Sequence, residues 1–242
     1  MSKLTIAGIG PGNRANLTIG ADKALREADV IIGYTVYVDL VKEDYPGKEF
    51  VTTPMTKEAD RCRLALEEAR QGKNTVLICS GDSGIYGMTA LVYELCEENN
   101  APEIEVIPGI TAACSGSALL GAPLTHDFAV ISLSDRLTPM KTIIKRLEYA
   151  ALADLVIVLY NPASKSRPDH LKKACDVLLQ ALSPERPCGI ARAIGREGES
   201  SQILTLAELR EAEADMFCTI FIGNSMTKVI NGKLVTPRGY RL

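Results

Sequence analysis

The chain lacks the features that would assign it to a membrane or to nucleic acid. No apolar run approaches the roughly 20 residues that a membrane-spanning helix needs, and the amino-terminal run is too short for a secretory signal. The sequence has 27 basic and 30 acidic residues, and its net charge of −3 provides no electrostatic basis for binding nucleic acid. We therefore expect a soluble cytoplasmic protein with no membrane or nucleic-acid partner.

Metal-binding patterns are also missing. The chain has two histidines, His126 and His170, and its seven cysteines contain no CxxC pair. Single cysteines scattered through apolar runs are typical of reduced core thiols in a reducing compartment. Because no group of residues shows the spacing of metal ligands, we predict no protein-bound metal.

Short apolar runs instead alternate with helical patterns along most of the chain. In the first half, segments with helical periodicity lie between the apolar runs Leu4–Ile9, Val30–Ile32, Thr75–Ser80 and Ile104–Ile107. Thr18 is the predicted N-cap of the first of these helices. This βα alternation predicts a mostly parallel sheet that is covered on both faces. A small-residue helix from Thr111 to Leu120 follows.

The periodicity breaks at residues 121–127, which we interpret as a linker between domains 1–122 and 123–242. The alternation then resumes with the apolar runs 129–134, 155–160, 188–194 and 216–223. Near the end, Asn231-Gly232 between two apolar runs predicts a type I′ hairpin. The sequence therefore predicts two α/β domains, with a mostly parallel sheet in the first and a mixed sheet in the second.

The first candidate ligand loop is Gly8-Ile-Gly10-Pro11-Gly12, which follows the first predicted strand. A dinucleotide-binding turn reads GxGxxG and offers backbone N–H groups to a pyrophosphate. Here the third glycine comes one residue early, Pro11 has no N–H, and no acid follows about 20 residues later. The loop disfavours a nicotinamide oxidoreductase. It suits either a tight turn without a ligand or a ligand that lacks a pyrophosphate.

Two further loops follow predicted strands. Ser80–Gly87 surrounds Asp82 with glycines, so Asp82 either faces a cationic ligand or caps the helix that begins near Met88. Residues 108–113 carry Thr111, which can cap the next helix and also offer its hydroxyl to a ligand. Plain helix packing explains the small residues after Thr111 equally well.

Taken together and in order, these loops resemble the signature series of the tetrapyrrole (uroporphyrin-III/corrin) methylase superfamily. The similarity covers essentially the whole chain and is greatest to the precorrin-3B or cobalt-precorrin-3 C17-methyltransferase branch of cobalamin biosynthesis. Ser132-Leu-Ser-Asp135, Tyr160-Asn-Pro162 and Thr236-Pro-Arg-Gly-Tyr240 carry this closer similarity. Met140 departs from the branch, where an aromatic residue is usual.

The resemblance implies a homodimer that binds S-adenosylmethionine in a bent form between two α/β domains and releases S-adenosylhomocysteine. The implied reaction methylates C17 of the tetrapyrrole substrate, with ring contraction to the precorrin-4 level. The cofactor contacts implied by the family motifs are Pro11, Ser80, Gly81, Asp82, Ile85, Thr111, Ala112, Asn161 and Ala193.

The implied chemistry suggests roles for further residues. Cationic side chains would hold the carboxylates of the substrate, and arginine is best suited to bidentate contact. Ring contraction requires proton transfers, for which we expect Ser134, Asp135 or His126 as catalytic candidates. The basic residues in loops, each of which is otherwise an ordinary surface charge, are Arg14, Arg136, Lys165, Arg167 and Arg192.

Other functions remain open at this point. Relatives within the superfamily methylate a different ring carbon, a ribosomal RNA ribose or a modified histidine of a translation factor. The acidic balance of the chain disfavours RNA, and Ser-Leu-Ser-Asp favours C17. A non-catalytic tetrapyrrole carrier or sensor is the remaining alternative.

Overall fold

The computed structural model describes residues 3–96 and 101–241. Backbone contacts divide the chain into two compact units, Met1–Thr111 and Ala112–Leu242. Both units are α/β, as predicted. The domain boundary between residues 122 and 123 stays a prediction.

The first unit contains one five-stranded sheet in which every pairing is parallel. The spatial order of its strands is β3-β2-β4-β1-β5. This arrangement confirms the parallel sheet predicted from the βα alternation. The strands are β1 (Lys3–Gly8), β2 (Val30–Tyr34), β3 (Glu49–Thr53), β4 (Thr75–Cys79) and β5 (Glu103–Ile107).

Helices cover this sheet, and separate apolar clusters lie on its two faces. Ile32 belongs to one cluster and its neighbour Ile31 to the other, since successive side chains of a strand point to opposite faces. The predicted N-cap is confirmed: the Thr18 hydroxyl accepts the Ala21 backbone N–H at 3.2 Å. The helices are α1 (Ile19–Glu27), α2 (Thr35–Asp39), α3 (Glu58–Arg70) and α4 (Thr89–Leu95).

The second unit begins with helix α5 (Ala112–Leu120) and contains two sheets. The larger sheet has the order β10-β9-β11-β8-β7. In it β7 and β8 are parallel and the other neighbours are antiparallel, which confirms a mixed sheet. Its strands are β7 (Phe128–Ser132), β8 (Val156–Tyr160), β9 (Pro187–Arg192), β10 (Ser200–Thr205) and β11 (Cys218–Ile222). The remaining helices are α6 (Met140–Leu152), α7 (His170–Leu178) and α8 (Leu206–Glu211).

The smaller sheet contains β6 (Gly121–Ala122), β12 (Lys228–Ile230) and β13 (Lys233–Val235). Asn231 and Gly232 have φ angles of 51° and 71°, as a type I′ turn requires, which confirms the predicted hairpin. β6 pairs in parallel with β13, so the predicted linker begins as a strand.

The cysteines are all free, and five of them are buried. The prediction of core thiols is wrong for Cys114, which lies exposed on α5. Within the described ranges, no helix combines the length and the apolar character needed to cross a bilayer.

Candidate functional site

Three loops meet at the carboxyl edge of the first sheet. β1, β4 and β5 are adjacent parallel strands, so the loops that follow them lie side by side. Gly10 and Gly81 join the first two loops by exchanging two backbone hydrogen bonds. Gly81 N–H donates to the Gly10 carbonyl at 2.7 Å, and Gly10 N–H donates to the Gly81 carbonyl at 3.1 Å.

The glycines of these loops allow backbone to pack directly on backbone. A Cβ atom added to Gly8 would lie 2.6 Å from the Gly81 carbonyl oxygen, and one added to Gly109 would lie 2.1 Å from the same atom. Both distances are shorter than van der Waals contact. Contacts among the loops themselves therefore explain the glycines at positions 8 and 109.

Asp82 ties the loops together through its carboxylate. Oδ1 accepts the backbone N–H groups of Gly84 at 2.8 Å and Ile85 at 3.1 Å, and Oδ2 accepts that of Gly109 at 2.9 Å. The alternative that Asp82 merely caps the next helix is wrong, because α4 begins at Thr89 and the Asp82 oxygens bind loop N–H groups. A carboxylate is suited to this position because its two oxygens can accept hydrogen bonds from several N–H groups.

This edge of the sheet also presents apolar surface. Ile85 is 42% exposed and Tyr86 is 55% exposed. Tyr86 has a φ angle of 54°, a left-handed conformation that is uncommon for residues other than glycine and that often marks a functional site. The structure thus gathers here the predicted cofactor residues Pro11, Ser80, Gly81, Asp82, Ile85 and Thr111.

The second unit brings another set of strand ends together. β11 is antiparallel to both β8 and β9, and β7 is parallel to β8, so β7, β8 and β9 all run in one direction. Asn161 follows β8 with a φ angle of 54°, and Ala193 follows β9 with a φ angle of 48°. A left-handed conformation costs an alanine roughly 1–2 kcal/mol, whereas asparagine adopts it more readily. Two predicted cofactor residues therefore have left-handed backbone at the same edge of this sheet, and that of Ala193 is strained.

Ala112, the remaining predicted cofactor residue, opens α5. The next backbone N–H, that of Ala113, donates to the hydroxyl of Tyr160 at 2.7 Å. Asn161 in turn donates through Nδ2 to the Ser132 hydroxyl at 3.0 Å. The helix start and the ends of β7 and β8 are thus joined by side-chain hydrogen bonds within the second unit.

A polar cluster of Ser134, Asp135, Arg167 and His170 lies beyond the same strand ends and is called the Asp135 cluster. Arg167 Nη1 donates to the Ser134 hydroxyl at 2.7 Å and lies 3.6 Å from Asp135 Oδ1. His170 Nε2 lies 3.3 Å from Asp135 Oδ2. Two predicted catalytic residues and one predicted substrate-binding residue therefore meet here.

The contacts of Asp135 shift its proton affinity. Desolvation has the largest individual effect and raises the pKa of the Asp135 carboxyl, but the contact with His170 and the charges of His170 and Arg167 outweigh it. The net result is a pKa below the ordinary value, so Asp135 is a carboxylate at neutral pH.

The other predicted site residues lie in different surroundings. Arg14 is 3.7 Å from Asp44, and Arg192 forms an ion pair with Asp215. Arg136 and Lys165 are exposed and have no ion pair among the residues that the structure describes. His126 Nδ1 accepts the backbone N–H of Asp127 at 2.8 Å, and no hydrogen bond or ion pair of the described chain links it to the Asp135 cluster.

Sequence reasoning missed Arg61 and His170. Arg61, on α3, is 3% exposed and has no carboxylate partner in residues 3–96 or 101–241. Its guanidinium donates to the Thr53 hydroxyl at 2.7 Å and the Pro54 carbonyl at 3.0 Å, and lies over the Tyr34 ring. Arg61 thus fixes the carboxyl ends of β2 and β3. A lone arginine on an amphipathic helix gives no sequence signal for this role.

A profile of the tetrapyrrole (corrin/porphyrin) methylases matches residues 3–210 of the chain. The chain is 44% identical over 240 residues to the probable cobalt-factor III C(17)-methyltransferase of Salmonella typhimurium, which covers 99% of this chain and 100% of that protein. It is also 44% identical over 239 residues to the cobalamin biosynthesis protein CbiHC of Archaeoglobus fulgidus. That match covers 98% of this chain and 53% of the relative, so the chain spans about half of that longer protein.

Solved structures have the same fold. The methyltransferase CobJ superposes with a TM-score of 0.91 at 35% identity, covering 98% of this chain and 100% of CobJ. A uroporphyrin-III C-methyl transferase from Thermus thermophilus, complexed with S-adenyl homocysteine, gives a TM-score of 0.70 at 21% identity over 91% of this chain and 97% of that one. The latter identity supports a common fold alone.

Proposed function

Because this chain belongs to the tetrapyrrole (corrin/porphyrin) methylase family, we propose that it transfers a methyl group from S-adenosylmethionine to C17 of a corrin precursor. The proposed substrate is cobalt-factor III, with ring contraction accompanying the transfer, and metal-free precorrin-3B is the alternative substrate. The observation that carries the proposal is the 44% identity, over the full length of both chains, to a relative named for this reaction.

The chemistry of the strand-end loops in the first unit supports S-adenosylmethionine as the methyl donor. Residues 8–12, 80–88 and 108–111 contain one acid, Asp82, and no lysine or arginine. A pyrophosphate would favour basic residues or free N–H groups, whereas a donor with a sulfonium and an ammonium favours a nearby carboxylate.

Specific contacts with the donor follow as part of the proposal. Pro11, Ser80, Gly81, Asp82, Ile85 and Thr111 would contact it from the first unit. Exposed Ile85 offers an apolar surface of the kind that an adenine prefers. From the second unit, the proposed contacts are Ala112, Asn161 and Ala193.

Methyl transfer demands positioning more than acid–base catalysis. The donor, when bound, supplies a methyl group on a positively charged sulfur, and the thioether that leaves is neutral. The chain's contribution is therefore to hold both reactants in line, for which a preorganised site is effective. The hydrogen bonds of Asp82 provide such preorganisation, since they fix the loops before a ligand arrives.

The Asp135 cluster suits the substrate side of the reaction. Arg167, together with exposed Arg136 and Lys165, would hold carboxylates of the tetrapyrrole. Asp135, ionised at neutral pH, would accept a proton during ring contraction, and Ser134 would orient Arg167. Arg14 and Arg192 remain proposed substrate contacts, although Arg192 would first have to leave Asp215. His126 remains a proposed proton-transfer residue.

Incubation with labelled S-adenosylmethionine and a panel of tetrapyrroles tests the proposal. We expect cobalt-factor III to gain one methyl group, detected by mass spectrometry, and binding of S-adenosylhomocysteine to be measurable by calorimetry. Methylation of precorrin-3B alone would assign the metal-free substrate. Donor binding without methylation of any tetrapyrrole would contradict the proposed reaction, and absence of donor binding would favour a tetrapyrrole carrier.

We also propose that the protein acts in the cytoplasm as a homodimer. The seven free cysteines support a reducing compartment. Sedimentation of the purified protein at micromolar concentration tests the assembly, for which twice the mass of 26.1 kDa is expected. Sedimentation at the monomer mass would contradict the dimer.

A further inference from the structure

The chain contains one buried histidine that the proposed reaction leaves without a role. His170 is the first residue of α7 and is 8% exposed. Neither of its ring nitrogens makes a hydrogen bond of good geometry within the described part of the chain. Buried polar groups normally have such partners, so this imidazole needs an explanation.

The carboxylate of Asp135 lies close to His170. Nε2 lies 3.3 Å from Oδ2, at the limit of a good hydrogen bond, while Arg167 Nη1 approaches the other oxygen, Oδ1, to 3.6 Å. The two oxygens of one carboxylate therefore face two different nitrogen donors. Asp135 itself has 37% of its side chain exposed and can reach a ligand, whereas His170 cannot.

We propose that His170 is a positioning residue for Asp135, and that His170 and Arg167 together orient this carboxylate toward the substrate. Asp135 then accepts a proton from the macrocycle during ring contraction. The bond from that proton to the macrocycle breaks, its electron pair stays on the ring, and a new bond forms to an Asp135 oxygen. Water takes the proton after product release.

The side chains that face Asp135 are His170 at the start of α7 and Arg167 in the loop before it, and both lower the pKa of its carboxyl. Loss of the His170 contact should therefore raise the pKa of Asp135.

The inference rests on the proposed function, because a proton acceptor is needed only if the macrocycle reacts. It can be tested with a pair of variants of similar size, His170→Gln and His170→Leu. Gln carries a terminal N–H₂ group that can replace Nε2, whereas Leu fills similar space without a donor. Lys173→Ala, an exposed change on the same helix, serves as the matched control.

The experiment measures kcat, KM and the pH profile with cobalt-factor III, together with calorimetry of S-adenosylhomocysteine binding. We expect His170→Leu to lower kcat by about tenfold to 100-fold, less than the loss of a proton-transfer group itself can cost. KM and donor binding should stay within about threefold, and the acidic limb of the profile should move to higher pH. His170→Gln should recover most of kcat, and Lys173→Ala should match the wild type.

The outcomes separate this inference from the proposed function. If the wild type methylates cobalt-factor III and His170→Leu equals Lys173→Ala in kcat and pH profile, His170 does not position Asp135 and the inference alone fails. Equal loss of kcat in the Leu and Gln variants without a shift of the acidic limb also overturns it, because it indicates a packing role. A wild type that methylates no tetrapyrrole contradicts the proposed function and the inference with it.

Discussion

The carboxylate of Asp82 accepts the backbone N–H of Gly109 at 2.9 Å and thereby joins the loop after β4 to the loop after β5. The other Asp82 oxygen binds two N–H groups of its own loop. A single acid thus sets the shape of the edge where the parallel strands of the first unit end. In open α/β sheets this edge is the usual ligand site, so the acid has consequences for both stability and binding.

Replacement of Asp82 by Ala should weaken folding and donor binding together. The change removes three backbone hydrogen bonds to a carboxylate. Because two of them are exposed and the third is part-buried, we expect their loss to cost about 1–3 kcal/mol in total. We expect urea unfolding to show a loss in this range and calorimetry to show S-adenosylhomocysteine binding at least about tenfold weaker, which corresponds to about 1.4 kcal/mol. Asp82→Asn keeps one acceptor oxygen and should be intermediate.

Asp39→Ala provides the control for this prediction. Asp39 forms an exposed ion pair with Lys42, and such pairs contribute about 0–1 kcal/mol. If Asp82→Ala unfolds at the same urea concentration as Asp39→Ala, the stability of the loops does not depend on the Asp82 hydrogen bonds.

Gly109 and Gly20 form a second matched pair. A Cβ at position 109 would meet the Gly81 carbonyl oxygen at 2.1 Å, whereas one at position 20, in α1, would meet its nearest neighbour at 3.4 Å. Gly109→Ala should destabilise the protein by more than about 2 kcal/mol, since two backbone segments must separate. Gly20→Ala should be neutral or stabilise by up to about 1 kcal/mol through helix propensity. Similar thermal unfolding temperatures for the two variants would contradict the close packing of the loops.

The cysteines should differ in reactivity according to burial. Desolvation raises the pKa of Cys62 and Cys175 to about 12 and that of Cys79 and Cys218 to about 11, and Cys188 is shifted in the same direction. The thiolate is the reactive form, so these groups should resist alkylation at pH 8. Exposed Cys114 should react first.

Mass spectrometry after limited treatment with iodoacetamide gives the modified positions directly. The same treatment in urea serves as the control, because unfolding should make every cysteine reactive. Modification of Cys188 before Cys114 in the folded protein would contradict the packing of the second unit.

Asp22 should make stability depend on pH in the acidic range. Hydrogen bonds from Arg26 at 2.8 Å and from the Tyr45 hydroxyl at 2.7 Å hold the pKa of this carboxyl below its ordinary value of 3.8. The stabilisation that the ionised Asp22 contributes is therefore complete above this ordinary, unfolded-state pKa and is lost as the pH falls through the lower, folded-state value. Asp22→Asn should reduce stability at pH 7, and its difference from the wild type should shrink below pH ~4.

Tyr45→Phe provides a partial version of the Asp22 change. It removes the hydrogen bond from Tyr45 to Asp22 but keeps the one from Arg26. Chemical unfolding at several pH values should therefore show a loss of stability relative to the wild type that depends on pH but is smaller than that of Asp22→Asn. A difference between wild type and Asp22→Asn that stays constant from pH 7 to pH 3 would contradict the ionised role of Asp22.

The sequence predicts an element best when local chemistry and packing agree. Asn231-Gly232 predicts its turn because both residues tolerate positive φ, and the Thr18 cap precedes a clear apolar helix. β3 and β10 were missed because their strands carry several exposed polar residues and lack a continuous apolar run. α8 was also missed, although Thr205 and Glu208 form a capping box that marks its start.

In the candidate site, too, the order of elements predicts some features, whereas others depend on tertiary packing. Loop positions at strand ends follow from the order of elements, which is why the predicted residues from Pro11 to Thr111 share an edge of one sheet. The contacts of Asp82 could not be predicted, since they depend on Gly109 being brought near by β5. His126 was preferred to His170 because it lies in a distinctive stretch, whereas the approach of His170 to Asp135 depends on the packing of α7.

The most direct test of the account is the position of the transferred methyl group. Purified protein should be incubated with S-adenosylmethionine carrying a ¹³C-labelled methyl group and with cobalt-factor III, and the product analysed by carbon NMR. The account predicts one labelled methyl on C17 of a contracted macrocycle. Label on a different ring carbon, or none in the presence of bound donor, would contradict it.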